Sequence, residues 1–548
     1  MKNRLFQTMT EMFDQSLKLY AKKTACFWKS AAEAEVVSYA ELNAEGKKLA
    51  DALIVSGIEK GDKIMLQLPT PGQYSRAFWG IQYAGAVPMA LPFAMGDAAG
   101  RDVLDKQLNI CRDIVRLTIL IPEASLKDYQ KAIAPFENIT LMVYEDLMEK
   151  GRRIGNTGMV YPKITPEDEC CILFSSGSTD LPKGVVLKQK TMAASICSAL
   201  SIMDYDDSER SLSWLPLTHA FGFIGFHLIP IAKGASQGVM PPPLFVQHPD
   251  WFLRQVSDRR ITVLGGMNFA LKLLDAAVSD ADLETLNLSC VKNFFLGAEP
   301  VNAELANHFA GRFAAAGLSP VALRTAYGLS ESAFAVSLGK AGKPMRVDCL
   351  DFDALGENRA QIRTGETNEH RQQVRYASVG TPVPGLKVLV ADDEGHALPE
   401  ETVGELCYAG ESISERYFFR QNEMQKRMVG EYLASGDMGY LSDGEIIITG
   451  RKKDIIFING QNYYPLDIEN RIARIFPKLK DRIVASQIYN RHNEPELVLF
   501  IQSRQATADF AVKIRQLDLA IKQEQFIAFD YYLPIEAIPK TNSGKIQV

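Results

Sequence analysis

The stretch Phe174–Gly184, FSSGSTDLPKG, lies between two apolar runs, Cys170–Phe174 (CCILF) and Val185–Leu187 (VVL). Both runs read as short buried strands, so the hydroxyl-rich turn is held between them. Ser175, Ser176, Ser178 and Thr179 supply hydroxyl donors, Gly177 lets the backbone come close to a ligand, and Lys183 adds a positive charge. A turn so equipped suits a polyphosphate, although Ser, Thr and Gly also cluster in surface loops that bind nothing. It is not the loop of kinase-like NTPases, which needs Gly directly before the Lys and Ser or Thr after it. Here Pro182 precedes Lys183 and Gly184 follows.

With 548 residues, 47% apolar and 23% charged, the chain has the composition of a globular protein of more than one domain. A net charge of −6 leaves no basic excess for nucleic acid or an anionic membrane. The eight cysteines are scattered, and Cys170 and Cys171 are too close for a normal bridge, so all read as reduced. The seven histidines form no metal-ligand spacing. No run of 18 apolar residues occurs, and the amino terminus lacks a basic-then-apolar leader. The expectation is a cytoplasmic protein without stable membrane insertion.

Along the chain, residues 1–22 carry apolar positions at helical spacing, and Ser38 caps a second helix that Gly57 ends. KIMLQL (63–68), the helix 74–84 and the run 89–92 give strand, helix, strand order, and LTILI (117–121) and ITLMV (139–143) continue it. SLSWLPLTHAFGFIG (211–225) places His219 among aromatic and small residues, where a lone histidine is more often a satisfied core residue. A helix at 251–256, a strand at 261–264 and a Gly265-Gly266 turn lead to Met267, Asn268 and Phe269 at the start of another helix, a place where Met and Phe are usually core. NFFLGAEP (293–300) and AYGLSE (326–331) read as strands ending in turns, and ligands of open parallel sheets bind at such carboxyl ends. Glu331 brings a hard oxygen whose burial requires a metal ion or a hydrogen-bond network. Residues 339–376 turn polar and irregular, much of DFDALGENRAQIRTGETNEHRQQ showing no period, and read as an insertion. LKVLVAD and GELCYAG then read as a small β subdomain, SGDMGY carries Asp437, and GRKKD (450–454) precedes a last α/β unit ending in IPKTNSGKIQV.

In this order the motifs resemble the adenylate-forming superfamily of acyl-CoA synthetases, peptide-synthetase adenylation domains and luciferases, and most closely the fatty-acyl-AMP ligases. Asp180 departs from the usual Gly of the hydroxyl loop. The resemblance implies an α/β fold: a large N-terminal domain (1–450) of two doubly wound sheets plus a small β subdomain, then a small mobile C-terminal domain (451–548) hinged near Lys453. It implies ATP and Mg²⁺, with Ser175, Ser176, Gly177, Ser178, Thr179 and Lys183 on the phosphates and Glu331 on the metal. Gly297, Ala298 and Glu299 would hold adenine by backbone, Tyr327 with Gly328 would stack on the ring, and Ser330 would keep a hydroxyl for the α-phosphate. Asp437 and Arg451 would take the ribose, and Lys545 would stand between phosphate and carboxylate. His219, Met267, Asn268 and Phe269 would line the acid site. The inserted segment is held in such ligases to hinder transfer to coenzyme A, so an acyl carrier protein is the implied partner. A coenzyme A acceptor is the alternative, and a non-catalytic acyl or nucleotide sensor is the alternative of another class.

Overall fold

The computed structural model describes residues 5–94, 98–155, 158–174, 183–360, 373–458, 461–489, 495–503, 507–523 and 528–539. Two large sheets form a large N-terminal domain. In the first, the strands run in the order Thr381–Pro382, Ser337–Leu338, Leu323–Tyr327, Asn293–Gly297, Val263–Gly266, Arg210–Ser213, Ser236–Val239, Thr24–Trp28, Ala34–Ser38. In the second, the order is Arg416–Tyr417, Gly184–Lys188, Glu169–Phe174, Val87–Ala90, Lys63–Leu66, Leu117–Ile121, Ile139–Val143. The central strands of both pair in parallel; the outer pairs are antiparallel except at Ile139–Val143, which pairs in parallel with Leu117–Ile121. A five-stranded antiparallel sheet follows, built on Leu386–Ala391, Gly404–Gly410 and Tyr432–Ser442, with Met428–Val429 and Glu445–Arg451 beside the last. The smaller C-terminal domain has a three-stranded sheet, Ile483–Tyr489, Pro495–Gln502 and Tyr531–Ile535, with helices Pro465–Ile475 and Thr507–Gln523. Ile468, Ile472, Leu499, Leu517 and Ile521 give it a core of its own. No helix among the described residues is long and apolar enough to cross a membrane.

Local chemistry accounts for many boundaries. Ser38 and Glu41 close a reciprocal capping box at the start of Tyr39–Val55, and Gly57 follows its end at φ +86°. The amino-terminal helix runs Met9–Tyr20, with Thr8 accepting from the Glu11 amide, and buries Met9, Met12 and Phe13.

Two expectations need correction. Gly265 and Gly266 are not a turn but the end of the strand Val263–Gly266, paired with Phe295 and Leu296. A β-carbon at Gly265 would meet the Phe226 ring at 2.4 Å, so the strand needs glycine there. The inserted segment is not irregular throughout. Val347–Asp351 pairs antiparallel with Gln373–Ala377, the helix Phe352–Gly356 follows the first, and Leu350, Phe352, Leu355 and Tyr376 join a core with Met438, Tyr440 and Tyr464. The side chains that give this hairpin its buried face come from segments far apart in sequence.

The largest core holds a polar chain that hydropathy alone would not place there. The Trp79 indole donates to His227 Nε2 at 3.2 Å, and Ser75 Oγ lies 2.9 Å from the same nitrogen. Nδ1 therefore carries the proton and donates to Gln237 Oε1 at 2.8 Å, while Gln237 Nε2 donates to the Tyr39 hydroxyl at 3.0 Å. Burial depresses the His227 pKa to about 4, against the smaller opposing pull of Gln237. The unfolded chain takes up this proton first, so the neutral imidazole stabilises fully above about pH 6.5 and loses about 3 kcal/mol as pH falls toward 4. Thermal unfolding followed from pH 7 to pH 4.5 should fall more steeply for the wild type than for His227→Gln; equal slopes would place the acid sensitivity elsewhere.

Candidate active site

Residues 175–182, and with them Ser175, Ser176, Gly177, Ser178 and Thr179, lie outside the described residues, as does Lys545. Their neighbours are defined. Glu169–Phe174 and Gly184–Lys188 pair antiparallel, as the apolar runs predict, with Phe174 opposite Gly184. Lys183 Nζ is 2.9 Å from a Glu423 carboxylate oxygen and 5.6 Å from the centre of the Tyr417 ring. Tyr417 belongs to the edge strand Arg416–Tyr417 on Gly184–Lys188, opposite Val185, which sets it next to Lys183.

Tyr417 also reaches the carboxylate expected to hold a metal. Its hydroxyl donates to Glu331 Oε1 at 2.5 Å, and Arg427 Nη1 donates to the same oxygen at 2.8 Å. Burial works against the charge on Glu331, but the Arg427 guanidinium and the Tyr417 hydroxyl outweigh it and hold the carboxyl below the usual carboxylate range. Glu331 sits in the one-turn 3₁₀ helix Ser330–Ser332, which also carries Ser330. The helix ends in a tight reversal at Ala333 (φ +61°), where the Phe334 amide donates to Ser332 O at 2.7 Å.

A second cluster forms where Leu323–Tyr327 ends. The Tyr327 hydroxyl donates to Asp437 Oδ2 at 2.5 Å and lies 3.3 Å from the Tyr408 hydroxyl. Asp437 and Arg451 are direct partners in the antiparallel ladder, and Arg451 Nε is 2.7 Å from Asp437 Oδ1. The two clusters are continuous, because Arg427 Nη2 donates to Ser435 O at 3.1 Å and the Asp437 amide donates to Ser435 Oγ at 3.0 Å. Close backbone approach fixes the glycines beside Tyr327: a β-carbon would come within 1.7 Å of Phe334 O at Gly328 and 2.2 Å of Ala326 O at Gly297.

The turn after Asn293–Gly297 bends through Ala298 at φ +65°. Asn268 braces it. The Asn268 amide donates to Glu299 Oε1 at 2.6 Å, its side-chain nitrogen donates to Pro300 O at 2.8 Å, and Oδ1 accepts from the Asn302 amide at 2.9 Å. The side chain is thus committed to the turn. Met267 is buried, and Phe269 packs edge-on to Trp214 with centroids 5.2 Å apart. His219, half-buried, caps the helix Ala220–Phe223, its Nδ1 accepting from the Phe221 amide at 3.3 Å. Phe221 faces Phe334, 6.4 Å between centroids, so the His219 segment and the Glu331 turn meet through these rings. Lys453 lies in the exposed turn Lys452–Asp454, next to Lys452, whose Nζ pairs with Glu405 at 2.8 Å and Asp393 at 2.9 Å.

Sequence reading therefore identifies Lys183, Tyr327, Glu331, Asp437 and Arg451, which the fold assembles, and misses Tyr417, Tyr408, Glu423 and Arg427. An aromatic in the run RYFF was the one available signal for Tyr417; Arg427, in the polar stretch 420–427, offered none.

The AMP-binding enzyme family matches residues 13–418. A Caulobacter vibrioides relative, provisionally named an acyl-CoA synthetase, is 32% identical over 93% of this chain and 89% of its own length. The medium-chain-fatty-acid–[acyl-carrier-protein] ligase JamA of Moorena producens is 28% identical over 99% of this chain and 94% of its own. A solved chain from structural and functional studies of fatty acyl-adenylate ligases of E. coli and L. pneumophila superposes with a TM-score of 0.88 at 26% identity, covering 99% of this chain and 96% of that one. With matches of this extent over one continuous cluster of charged and aromatic side chains, the chain belongs to the AMP-binding enzyme family and is an adenylate-forming ligase.

Proposed function

We propose that the chain activates a fatty or related carboxylic acid with ATP, forming acyl-AMP and pyrophosphate, and then passes the acyl group to the phosphopantetheine thiol of an acyl carrier protein. The observation that carries this reading is the convergence of Lys183, Glu331, Tyr327, Asp437 and Arg451, from five separate segments, on one cluster. Attack by the acid on the α-phosphorus forms the new P–O bond and breaks the bond to the β-phosphate oxygen, with pyrophosphate leaving. No protein nucleophile is needed, so the work is positioning and charge neutralisation.

In this scheme Lys183 and the hydroxyls of 175–179 hold the leaving pyrophosphate. Tyr327 stacks on adenine against the Gly297–Ala298–Glu299 backbone, and Ser330 faces the α-phosphate. Asp437 and Arg451 take the ribose, and His219 orients the acid. Lys545 meets the charge developing between acid and phosphate. The donor set at Glu331 suits Mg²⁺: an ionised, partly enclosed carboxylate whose contacts with Tyr417 and Arg427 both fall on Oε1, so that Oε2 is the oxygen for a hard cation. Bound there, Mg²⁺ would neutralise phosphate charge. The boundary near 450/451 and rotation about Lys453 would re-present the small domain for transfer.

The acceptor reading draws support from the inserted hairpin, which contacts the C-terminal domain. Tyr376 donates its hydroxyl to buried Asp467, Asn462 Nδ2 donates to Asn358 Oδ1 at 3.1 Å, Arg474 Nη1 donates to Gln373 O at 3.2 Å, and Arg471 lies 5.3 Å from the Phe352 ring centre. A seam of this kind restrains the reorientation that coenzyme A would exploit. The similarity to JamA points the same way. The provisional name of the 32% identical relative favours the second reading, an acyl-CoA synthetase.

Exchange of labelled pyrophosphate into ATP across a panel of acids tests the first step. Exchange that requires a fatty acid is expected, and Lys545→Ala should slow it by roughly 10²- to 10³-fold. Nucleotide binding with no exchange for any acid would favour a sensor. Lys453→Pro should slow transfer to a carrier thiol while acyl-AMP formation persists, and transfer at the wild-type rate would reject the hinge. Tyr376→Phe combined with Asn358→Gly removes two contacts of about 1 kcal/mol each, enough for roughly a thirtyfold shift in docking. Parallel thioester assays should then show coenzyme A gaining on carrier protein; an unchanged ratio would assign acceptor choice elsewhere.

A further inference from the structure

Arg427 joins the two ends of the site. Its Nη1 donates to Glu331 Oε1 at 2.8 Å and to the Tyr417 hydroxyl. Nε and Nη2 donate to Ala434 O at 3.0 and 2.7 Å, and Nη2 also donates to Ser435 O at 3.1 Å. The backbone returns the contact, the Ala434 amide donating to Arg427 O at 2.8 Å. These contacts match the five N–H groups of a guanidinium, held in one rigid fork.

Each partner serves a different part of the cluster. Glu331 is the carboxylate suited to a divalent cation. Tyr417 lies beneath Lys183 on the phosphate side. Ala434 and Ser435 run directly into Asp437 on the ribose side. The fork therefore sets the spacing between the phosphate end and the ribose end. A lysine would keep the charge but, as a point donor on a flexible stem, could not hold all three directions at once.

We infer that Arg427 is a positioning residue that fixes the Glu331 carboxylate, and hence the divalent cation it would hold, at a set distance from the ribose strand. This rests on the proposed function, and no sequence motif assigns Arg427 a part in it. Arg427 reaches the cation through Glu331, so this part of its effect should appear only when the metal is present, on top of any metal-independent effect of its contacts with Ala434 and Ser435.

The test uses the full chain. Calorimetric titration with ATP is run in Mg²⁺ and in EDTA for the wild type, Arg427→Lys, Glu331→Gln and the double variant. Partners that orient a metal ligand contribute about 10- to 100-fold in affinity or activity. Arg427→Lys should therefore weaken ATP binding in Mg²⁺ by about tenfold or more beyond any weakening it causes in EDTA, and this metal-dependent part should vanish in the Glu331→Gln background. Equal weakening with and without Mg²⁺, additivity with Glu331→Gln, or no weakening at all would overturn the inference. Should Arg427→Lys fail to fold, Tyr417→Phe takes its place, since it removes the hydroxyl shared by Arg427 and Glu331. The same metal-dependent weakening, smaller in size, is expected, and its absence overturns the inference. A wild type with no acid-dependent pyrophosphate exchange would instead overturn the reading on which this rests.

Discussion

Asp437, a carboxylate only 3% exposed, pairs through one oxygen with Arg451 and accepts from the Tyr327 hydroxyl on the other. Loss of the Tyr327 hydroxyl would take one hydrogen bond from this buried carboxylate, and loss of Arg451 would take its half-exposed ion-pair partner. These contacts make the site cohere. Tyr327 closes a strand of the nine-stranded sheet, Asp437 lies in the five-stranded sheet, and Arg451 ends the strand from which the chain continues to the small domain. One buried carboxylate thus ties three parts of the chain to a common point, and Arg427 extends the tie to Glu331 and Lys183.

Much of this was legible in the sequence, for a physical reason. Parallel strands buried on both faces read as apolar runs, and the turns at their ends carry the glycines and charged residues that short motifs capture. Asn293–Gly297, Leu323–Tyr327 and the helix Pro465–Ile475 fall where those patterns put them. The residues that join the motifs were hidden. Glu331 meets Tyr417 and Arg427 across 86 and 96 residues, and no local period marks such a pairing. Gly265 and Gly266 looked like a turn because the sequence shows the missing side chains but not the rings beside them, Phe226 at Gly265 and Phe294 at Gly266. The hairpin in the inserted segment was obscured because its buried face is completed by Tyr440 and Tyr464, far along the chain.

The strands Val347–Asp351 and Gln373–Ala377, with the helix Phe352–Gly356, join the large domain to the C-terminal one. Tyr376, Asn358 and Phe352 form a seam against the helix Pro465–Ile475 and its approach. Burial raises the Asp467 carboxyl to about 7, and Tyr376, donating to it, provides a partner within the seam.

One nucleotide occupying the whole cluster is what the adenylation scheme requires. A crystal structure with AMP bound tests this most directly. The ring should stack on Tyr327 beside the 297–299 turn, with its ribose hydroxyls on Asp437. AMP bound elsewhere, with the Tyr327–Asp437–Arg451 contacts undisturbed, would contradict it.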